Sequence, residues 1–360
     1  MFRLLPTVCA LALCHTAAGG EQPPATWLEA ANTITPSALR AHVSFLASDA
    51  LEGRATPSRG LDIAAEYIAA QFRRAGLEPA GDDGHFFTAV VTPQVVDPKR
   101  KEDPGWKEAK VRNVIGLLRG SDAALKDTYV LLSAHYDHEG MLPAGEGDRI
   151  YNGANDNASG VAVMLQVAEA LGRMKRAPCR SVVFLALWGE EKGLLGARHY
   201  LGQPAFPIEK TVANLTLEVM GQPDPGNGLL AKAPLTGFDY SDLGPSLAEA
   251  ARHAGVQVYR QEPFSSEYFD RSDNLAFAEA GIPSHTLTSA YGYEEYHRLD
   301  DHWEKLDYGN MAKLARGVAL GLLRIANSPR APRWNDRNPR AERYRKARRQ
   351  PPAAGLSSPP

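Results

Sequence analysis

The chain has 360 residues, with 40 basic and 42 acidic side chains and a net charge of −2. This near balance gives the whole molecule no electrostatic footprint for nucleic acid or a membrane surface, and no nucleic-acid partner is expected. The length is enough for one large domain with a full core.

Arg3 followed by the largely apolar stretch Leu4 to Leu13 and the small residues Ala17-Ala18-Gly19-Gly20 reads as a secretory signal over residues 1–19, cleaved around Ala18. The apolar stretch is too short to span a bilayer, so no transmembrane anchor is expected. Export to the periplasm or the medium follows. Leu11-Ala12-Leu13-Cys14 also resembles a lipoprotein box, which the bulky Leu13 weakens. Loss of the signal removes Cys9 and Cys14 and leaves Cys179 as the remaining cysteine, unable to form an internal disulfide.

The mature domain reads as residues 26–330. A helical lead-in segment, 36–80, holds one helix over 36–48 and another over 61–75, the latter stopped by Gly76. The loop between them carries Glu52-Gly53-Arg54. Residues 81–110 look irregular, with a strand expected at Phe86 to Val91. The core, 111–326, opens with a strand at Val111 to Leu118, whose expected neighbour is the apolar run 129–134. A helix at 158–171 follows, then the most β-like run, Ser181 to Trp188, then helix 192–201 and a strand over 212–220. Helix 244–254, a short strand at 256–259, a polar-aromatic loop at 264–273, helix 274–280, strand 282–288 and helix 308–326 complete the domain. Strands alternating with helices predict an α/β fold, a three-layer αβα sandwich on a mixed, mainly parallel sheet. Residues 331–360 are basic and then Pro-rich, and read as a disordered tail.

Acidic and histidine residues recur immediately at strand ends. His135 and Asp137 are two apart, so an extended backbone turns them to the same face. Glu190-Glu191 ends the next strand, Glu218 the one after, and Asp156 lies in a Gly/Asn loop opening a helix. His297 stands in a later loop with Asp300 and Asp301. Individually these have ordinary explanations: His-x-Asp as a surface pair, Glu-Glu on a helix, Asp156 as a helix N-cap. Glu218 is less ordinary, because a carboxylate in an apolar strand is costly unless it is paired or bound to metal. Two histidines with several carboxylates and no thiolate suit Zn²⁺ or a related divalent ion, and five such ligands suit a two-metal site.

The order and wording of these segments resemble the M28 family of co-catalytic zinc peptidases. The resemblance covers roughly residues 36–325 and rests on Ala134-His135-Tyr136-Asp137-His138, Gly153-Ala-Asn-Asp156-Asn-Ala-Ser-Gly160-Val161 and Glu190-Glu191-Lys-Gly-Leu-Leu-Gly196. Ser272-Asp273, Gly281-Ile-Pro283, Tyr296-His297, Asp301 and the opening Leu46 to Arg54 add to it. It implies two Zn²⁺, or other divalent ions, held by His135, Asp156, Glu191, Glu218 and His297, with Asp156 bridging. His135 and Glu218 would hold different metals or two sides of one site, Glu191 completing the first and His297 the second, with the pairing open. Asp137 would accept the His135 N–H, and Glu190 would take a proton from a metal-activated water and hand it to the leaving amine. Tyr296 is a candidate oxyanion donor and Asp301 a support for His297. Where the family usually has Asp, this chain has Glu218, about 1.5 Å longer.

The resemblance implies an exported zinc-dependent exopeptidase acting on peptides, an aminopeptidase in the first instance. Glu267, Asp270 and Glu294 are loop carboxylates that could hold a substrate amine. A carboxypeptidase, with Arg271 or Arg298 receiving the free carboxylate, and a glutaminyl-cyclase-like enzyme are alternatives on the same fold. A non-catalytic binding module would lack the base or several ligands, whereas Glu190 and all five ligand positions are filled.

Overall fold

A computed structural model describes residues 22–92, 109–224 and 230–348; the expected signal and the last residues of the tail lie outside them. The helices are α1 Ala25–Asn32, α2 Pro36–Leu46, α3 Arg59–Arg74, α4 Gly160–Gly172, α5 Leu195–Gly202, α6 Leu243–Ala251, α7 Phe264–Glu267, α8 Asn274–Glu279, α9 Tyr308–Asn327 and α10 Glu342–Ala347. The strands are β1 Glu78–Pro79, β2 Phe87–Thr92, β3 Ala109–Leu118, β4 Tyr129–His135, β5 Gly140–Met141, β6 Ile150–Tyr151, β7 Ser181–Leu187, β8 Thr211–Leu217, β9 Lys232–Pro234, β10 Gln257–Tyr259 and β11 Ser284–Leu287.

The main sheet runs β1-β3-β7-β4-β8-β11, with β2 also on β3. β7, β4, β8 and β11 are parallel, and β3 joins β7 antiparallel. The expected pairing of β3 with β4 is therefore corrected: β7 lies between them, the ordinary outcome when a crossover through α4 places the next parallel strand beside β4. The β10 segment leaves the main sheet and pairs with β9 instead.

The strand sequences sort their side chains by period two. Val130, Leu132 and Ala134 of β4, with Val182, Phe184 and Ala186 of β7, enter the larger core with residues of α2, α3, α4, α6 and α9. Leu131 of β4 and Val183, Leu185 and Leu187 of β7 face the opposite layer with residues of α5 and α8. The sheet is thus covered on both sides. Local signals hold the lead-in helices: Thr35 accepts from the Ala38 N–H ahead of α2, with Pro36 in its first turn, and Ser58 accepts from Leu61 ahead of α3. No helix among the described residues is long and apolar enough to cross a membrane.

Two expectations fail outside the sheet. Residues 331–348 are not disordered: Trp334, Ala341 and Tyr344 are buried with Tyr240, Phe269 and Ala278 in a separate apolar cluster. Three apolar anchors spaced through a basic run are enough to dock it, which mean composition hides. Cys179 is buried and disulfide-bonded, so it is not left single in this structure.

Buried His285 on β11 gives a pH dependence. Its Nδ1 lies 2.8 Å from the Thr236 carbonyl, which accepts from it, and its Nε2 lies 2.6 Å from the Ser241 hydroxyl. Burial lowers its pKa from 6.5 to about 4. Above pH 6.5 the imidazole is neutral folded or unfolded. Between pH 6.5 and 4 only the unfolded chain takes up the proton, so stability falls as pH drops, by about 3 kcal/mol for this group. Urea unfolding from pH 7 to 4 is expected to show that loss, and His285→Gln to flatten part of the slope.

Candidate functional site

The site forms where β4, β7 and β8 end, the edge at which open α/β sheets gather their ligands. His135 is the last residue of β4. Register brings Glu218 to it: Ser133 of β4 pairs with Thr216 of parallel β8, and two residues further on both strands the same face carries His135 and Glu218. Asp156 comes from the loop leading into α4, with one carboxylate oxygen towards each side. Its Oδ1 is 3.3 Å from His135 Nε2, and its Oδ2 is 3.1 Å from His297 Nε2. Glu191 Oε2 lies 3.3 Å from the same His297 nitrogen.

Two donor sets result, His135–Asp156–Glu218 and Asp156–Glu191–His297, and His138 joins the second. The structure groups the side chains whose pairing the sequence leaves open. His135 and Glu218 share one set, and Glu191 and His297 sit together in the other, because strand register and not chain order sets proximity.

Residues around Asp156 explain the small polar wording of its loop. Asn155 N–H and Asp156 N–H donate to the Asp301 carboxylate at 2.9 and 3.1 Å, and Tyr293 O–H donates to it at 3.1 Å. Asp301 thus fixes the backbone of Asp156 and does not support His297, as had been expected; the carboxylate beside His297 Nδ1 is Glu139, at 3.5 Å. Asn155, Asn157 and Ser159 accept from the N–H groups of Gly221, Val219 and Met220 respectively. They pin the chain around Glu218 to the Asp156 loop. Val219 and His297 adopt φ of 52° and 54°, left-handed values that side chains rarely take and that gather at functional sites.

Asp137 does more than the sequence suggested and one thing differently. Its carboxylate accepts from Glu190 N–H at 3.1 Å and from the Thr56 hydroxyl at 2.9 Å. The nearest acceptor for His135 Nδ1 is the Asp137 main-chain carbonyl at 3.3 Å, with the carboxylate at 3.6 Å, beyond hydrogen-bond range. His138 was missed as a site residue. Its Nδ1 is 2.9 Å from Glu191 Oε1, leaving Oε2 towards His297; the second histidine of His135-Tyr-Asp-His138 was the available signal. Arg54, in the sequence an ordinary loop arginine, is fully buried under the site and donates to the carbonyls of Tyr136, Asn152, Gly153 and Leu46.

The electrostatics call for a cation. Burial raises Glu218 to about 7, with Asp156 and Glu191 adding and His135 opposing. Burial likewise raises Glu190, and Glu218, Glu191 and Asp273 add to it against His135. For Asp156, burial is overcome by the contacts from His135 and His297, which hold it below the usual carboxylate range. His135 Nε2, Asp156 Oδ1 and Glu218 Oε2 are buried with no hydrogen-bond partner. Bare nitrogens and oxygens about 3.3 Å apart match neighbouring corners of a tetrahedron with metal–ligand distances near 2.0–2.1 Å. The donor set fits zinc. Beside it a cavity of about 210 Å³ is lined by Glu218, Tyr268, Arg271, Tyr291, Tyr293 and Tyr296. The Tyr296 ring also stacks on His297, with centroids 4.0 Å apart. Asp270 and Glu267 line a different, outer groove against the tail, which removes them as holders of a substrate amine in the cavity.

Such a site on such a sheet defines a metallopeptidase, a hydrolase of the zinc type. Residues 113–321 match the model of peptidase family M28, and the chain belongs to that family. A probable zinc metalloprotease of Pyrenophora tritici-repentis is 26% identical over 338 residues, covering 82% of this chain and 74% of that protein. Aminopeptidase YwaD of Bacillus subtilis is 30% identical over 175 residues, covering 48% of this chain and 34% of the aminopeptidase. The LapA aminopeptidase of Legionella pneumophila superposes with a TM-score of 0.64 at 16% identity, covering 87% of this chain and 78% of that one.

Proposed function

We propose that this chain is an exported aminopeptidase holding two zinc ions. The observation that carries the reading is Asp156, which turns one oxygen to His135 and the other to His297, the arrangement of a carboxylate shared between two ions. His135, Asp156 and Glu218 would hold one ion; Asp156, Glu191 and His297 would hold the other. When bound, the zinc pair supplies Lewis acidity, making water a nucleophile at neutral pH and polarising the peptide carbonyl.

The protein's own groups do the rest. Glu190 belongs to neither donor set and is buried near Glu218, Asp273 and His135. It takes the proton released as water attacks and passes it to the departing amine. Asp137 keeps Glu190 in place through its backbone N–H. Tyr296, on the cavity wall, donates towards the carbonyl oxygen as charge develops there. The tyrosine-lined cavity receives the side chain of the residue removed. Two complete donor sets favour a peptidase over a one-metal cyclase. Export is supported by the apolar N-terminal run and its small-residue boundary.

Purified protein is expected to contain about two zinc ions per chain. It should release p-nitroaniline from unblocked aminoacyl p-nitroanilides, lose that activity to a chelator and regain it with zinc. Release only from the carboxyl ends of amino-blocked peptides would replace this reading with a carboxypeptidase. Cyclisation of amino-terminal glutamine without aminoacyl release would replace it with a cyclase.

A further inference from the structure

The segment after α9 lies beyond the family match, which ends at residue 321, yet it packs behind residues that line the active-site cavity. Trp334 Nε1–H donates to the Gly281 carbonyl at 2.9 Å, and its ring stacks on Tyr344 with centroids 5.2 Å apart. Tyr344 in turn packs on Phe269 at 5.3 Å, and its hydroxyl donates to Asp270 Oδ1 at 3.1 Å. Arg343 pairs with the same carboxylate at 3.0 Å. Arg348 reaches the carbonyl of Thr211 at 3.3 Å, at the start of β8. The approach is close: a Cβ on Gly281, where φ is 84°, would meet the Arg348 backbone nitrogen at 2.4 Å.

Phe269 and Asp270, the residues gripped from outside, are flanked in sequence by the residues that face inward. Tyr268, Arg271 and Ser272 line the cavity with Glu218, and the Arg271 guanidinium lies 4.6 Å over the Tyr268 ring. Residues 268–272 are a short wall with the tail on one side and the substrate space on the other. From the body of the domain, Tyr240 packs on Phe269 at 4.8 Å and His285 at 5.8 Å, and Tyr291 packs on Tyr268 at 5.1 Å. Asn274 Nδ2 donates to the Phe269 carbonyl at 3.0 Å, while the groups that hold the Asp270 carboxylate, Arg343 and Tyr344, come from the tail.

We propose that the segment Trp334–Arg348 determines substrate specificity: by holding Phe269 and Asp270 from behind, it fixes Tyr268 and Arg271 at the depth that a bulky substrate side chain meets. This rests on the aminopeptidase reading. Tyr344 and its neighbours act as positioning residues, touching the wall and never the substrate. Because they contact neither donor set, zinc binding and turnover are separate from what they control.

The test compares Tyr344→Ala with Tyr344→Phe, which keeps the ring and loses only the hydroxyl. Tyr344→Ala is expected to raise KM for leucyl and phenylalanyl p-nitroanilides about tenfold, leave kcat and KM for the alanyl substrate within about twofold, and keep the zinc content. Tyr344→Phe should recover most of the loss. Hydrogen exchange of the backbone over 264–273 should quicken at least about tenfold in Tyr344→Ala and little in Tyr344→Phe. Unchanged exchange and unchanged selectivity in a folded Tyr344→Ala protein would overturn the proposal. So would an equal fall in kcat for every substrate with zinc lost, which marks general destabilisation. If the wild type cleaves no aminoacyl substrate, the aminopeptidase reading fails by itself, and the exchange comparison still decides whether the tail holds the wall.

Discussion

Glu190→Gln is expected to lower kcat on aminoacyl substrates by about 10³- to 10⁴-fold while the protein keeps its zinc and its fold. The substitution conserves shape and removes only the ability to accept a proton. It touches neither donor set, since the adjacent Glu191 is the one within 3.3 Å of His297. The backbone N–H that Asp137 holds is unaltered, so the side chain stays where it was. KM should change little, because a proton acceptor used only as water attacks contributes little to ground-state binding. Zinc analysis beside the kinetics separates this outcome from its rival. Asp156→Asn, which withdraws one charge from both sets at once, should lose zinc and activity together. If Glu190→Gln retains near-normal turnover, the proton goes elsewhere and the assignment of the base is wrong.

These variants also mark how much the chain's order alone could say. His135 and Asp137 were legible because the period of a strand is two and both follow an apolar run. Glu218 was legible because a carboxylate at the end of an apolar strand needs a partner. Which residues meet was not legible. The join of His135 to Glu218 depends on β8 lying beside β4 in a register that sets Thr216 against Ser133, and no local pattern specifies that. The resemblance implies Asp301 beside His297, whereas the fold delivers its carboxylate to the N–H groups of Asn155 and Asp156.

The tail went unread for a different reason. Its charge run has the composition of a solvated segment, and only Trp334 and Tyr344, ten residues apart, betray that it docks. Their partners, Phe269 and Asp270, sit in a loop whose own wording gives no sign of being a wall. Elements that carry chemistry are more legible than those that brace it, because chemistry restricts residue type at a position. Bracing needs only some side chain of suitable shape.

Arg54 shows the bracing at its strongest, and its loss is expected to be the most destabilising single change near the site. The guanidinium donates to four main-chain carbonyls, those of Leu46, Tyr136, Asn152 and Gly153. It thereby ties the end of α2 to the residue after β4 and to the loop before Asp156. Burial lowers its pKa to about 10, held up by Asp137, Asp301, Asp156 and Glu191 in turn, so it stays charged at neutral pH. The turn that delivers it is equally specific: Gly53 has φ of 68°, and a Cβ there would meet the Gly140 carbonyl oxygen at 2.2 Å. Arg54→Met fills much of the volume but takes a donor from four buried carbonyls, of which Gly153 keeps the Ala158 N–H, and removes the positive charge beneath several carboxylates. A cost of about 4 kcal/mol follows for breaking such a buried arrangement, or roughly a 6 °C fall in Tm for a chain of this size. Zinc should bind more weakly as well, since Gly153 and Tyr136 flank the two segments that present Asp156 and His135. Arg54→Lys should recover little, because one ammonium cannot reproduce a planar fork that serves four oxygens. Thermal unfolding of the zinc-loaded and zinc-stripped proteins separates the two effects. If Arg54→Met keeps the wild-type midpoint in both states, the arginine is a bystander and the loop before Asp156 is held by its own hydrogen bonds alone.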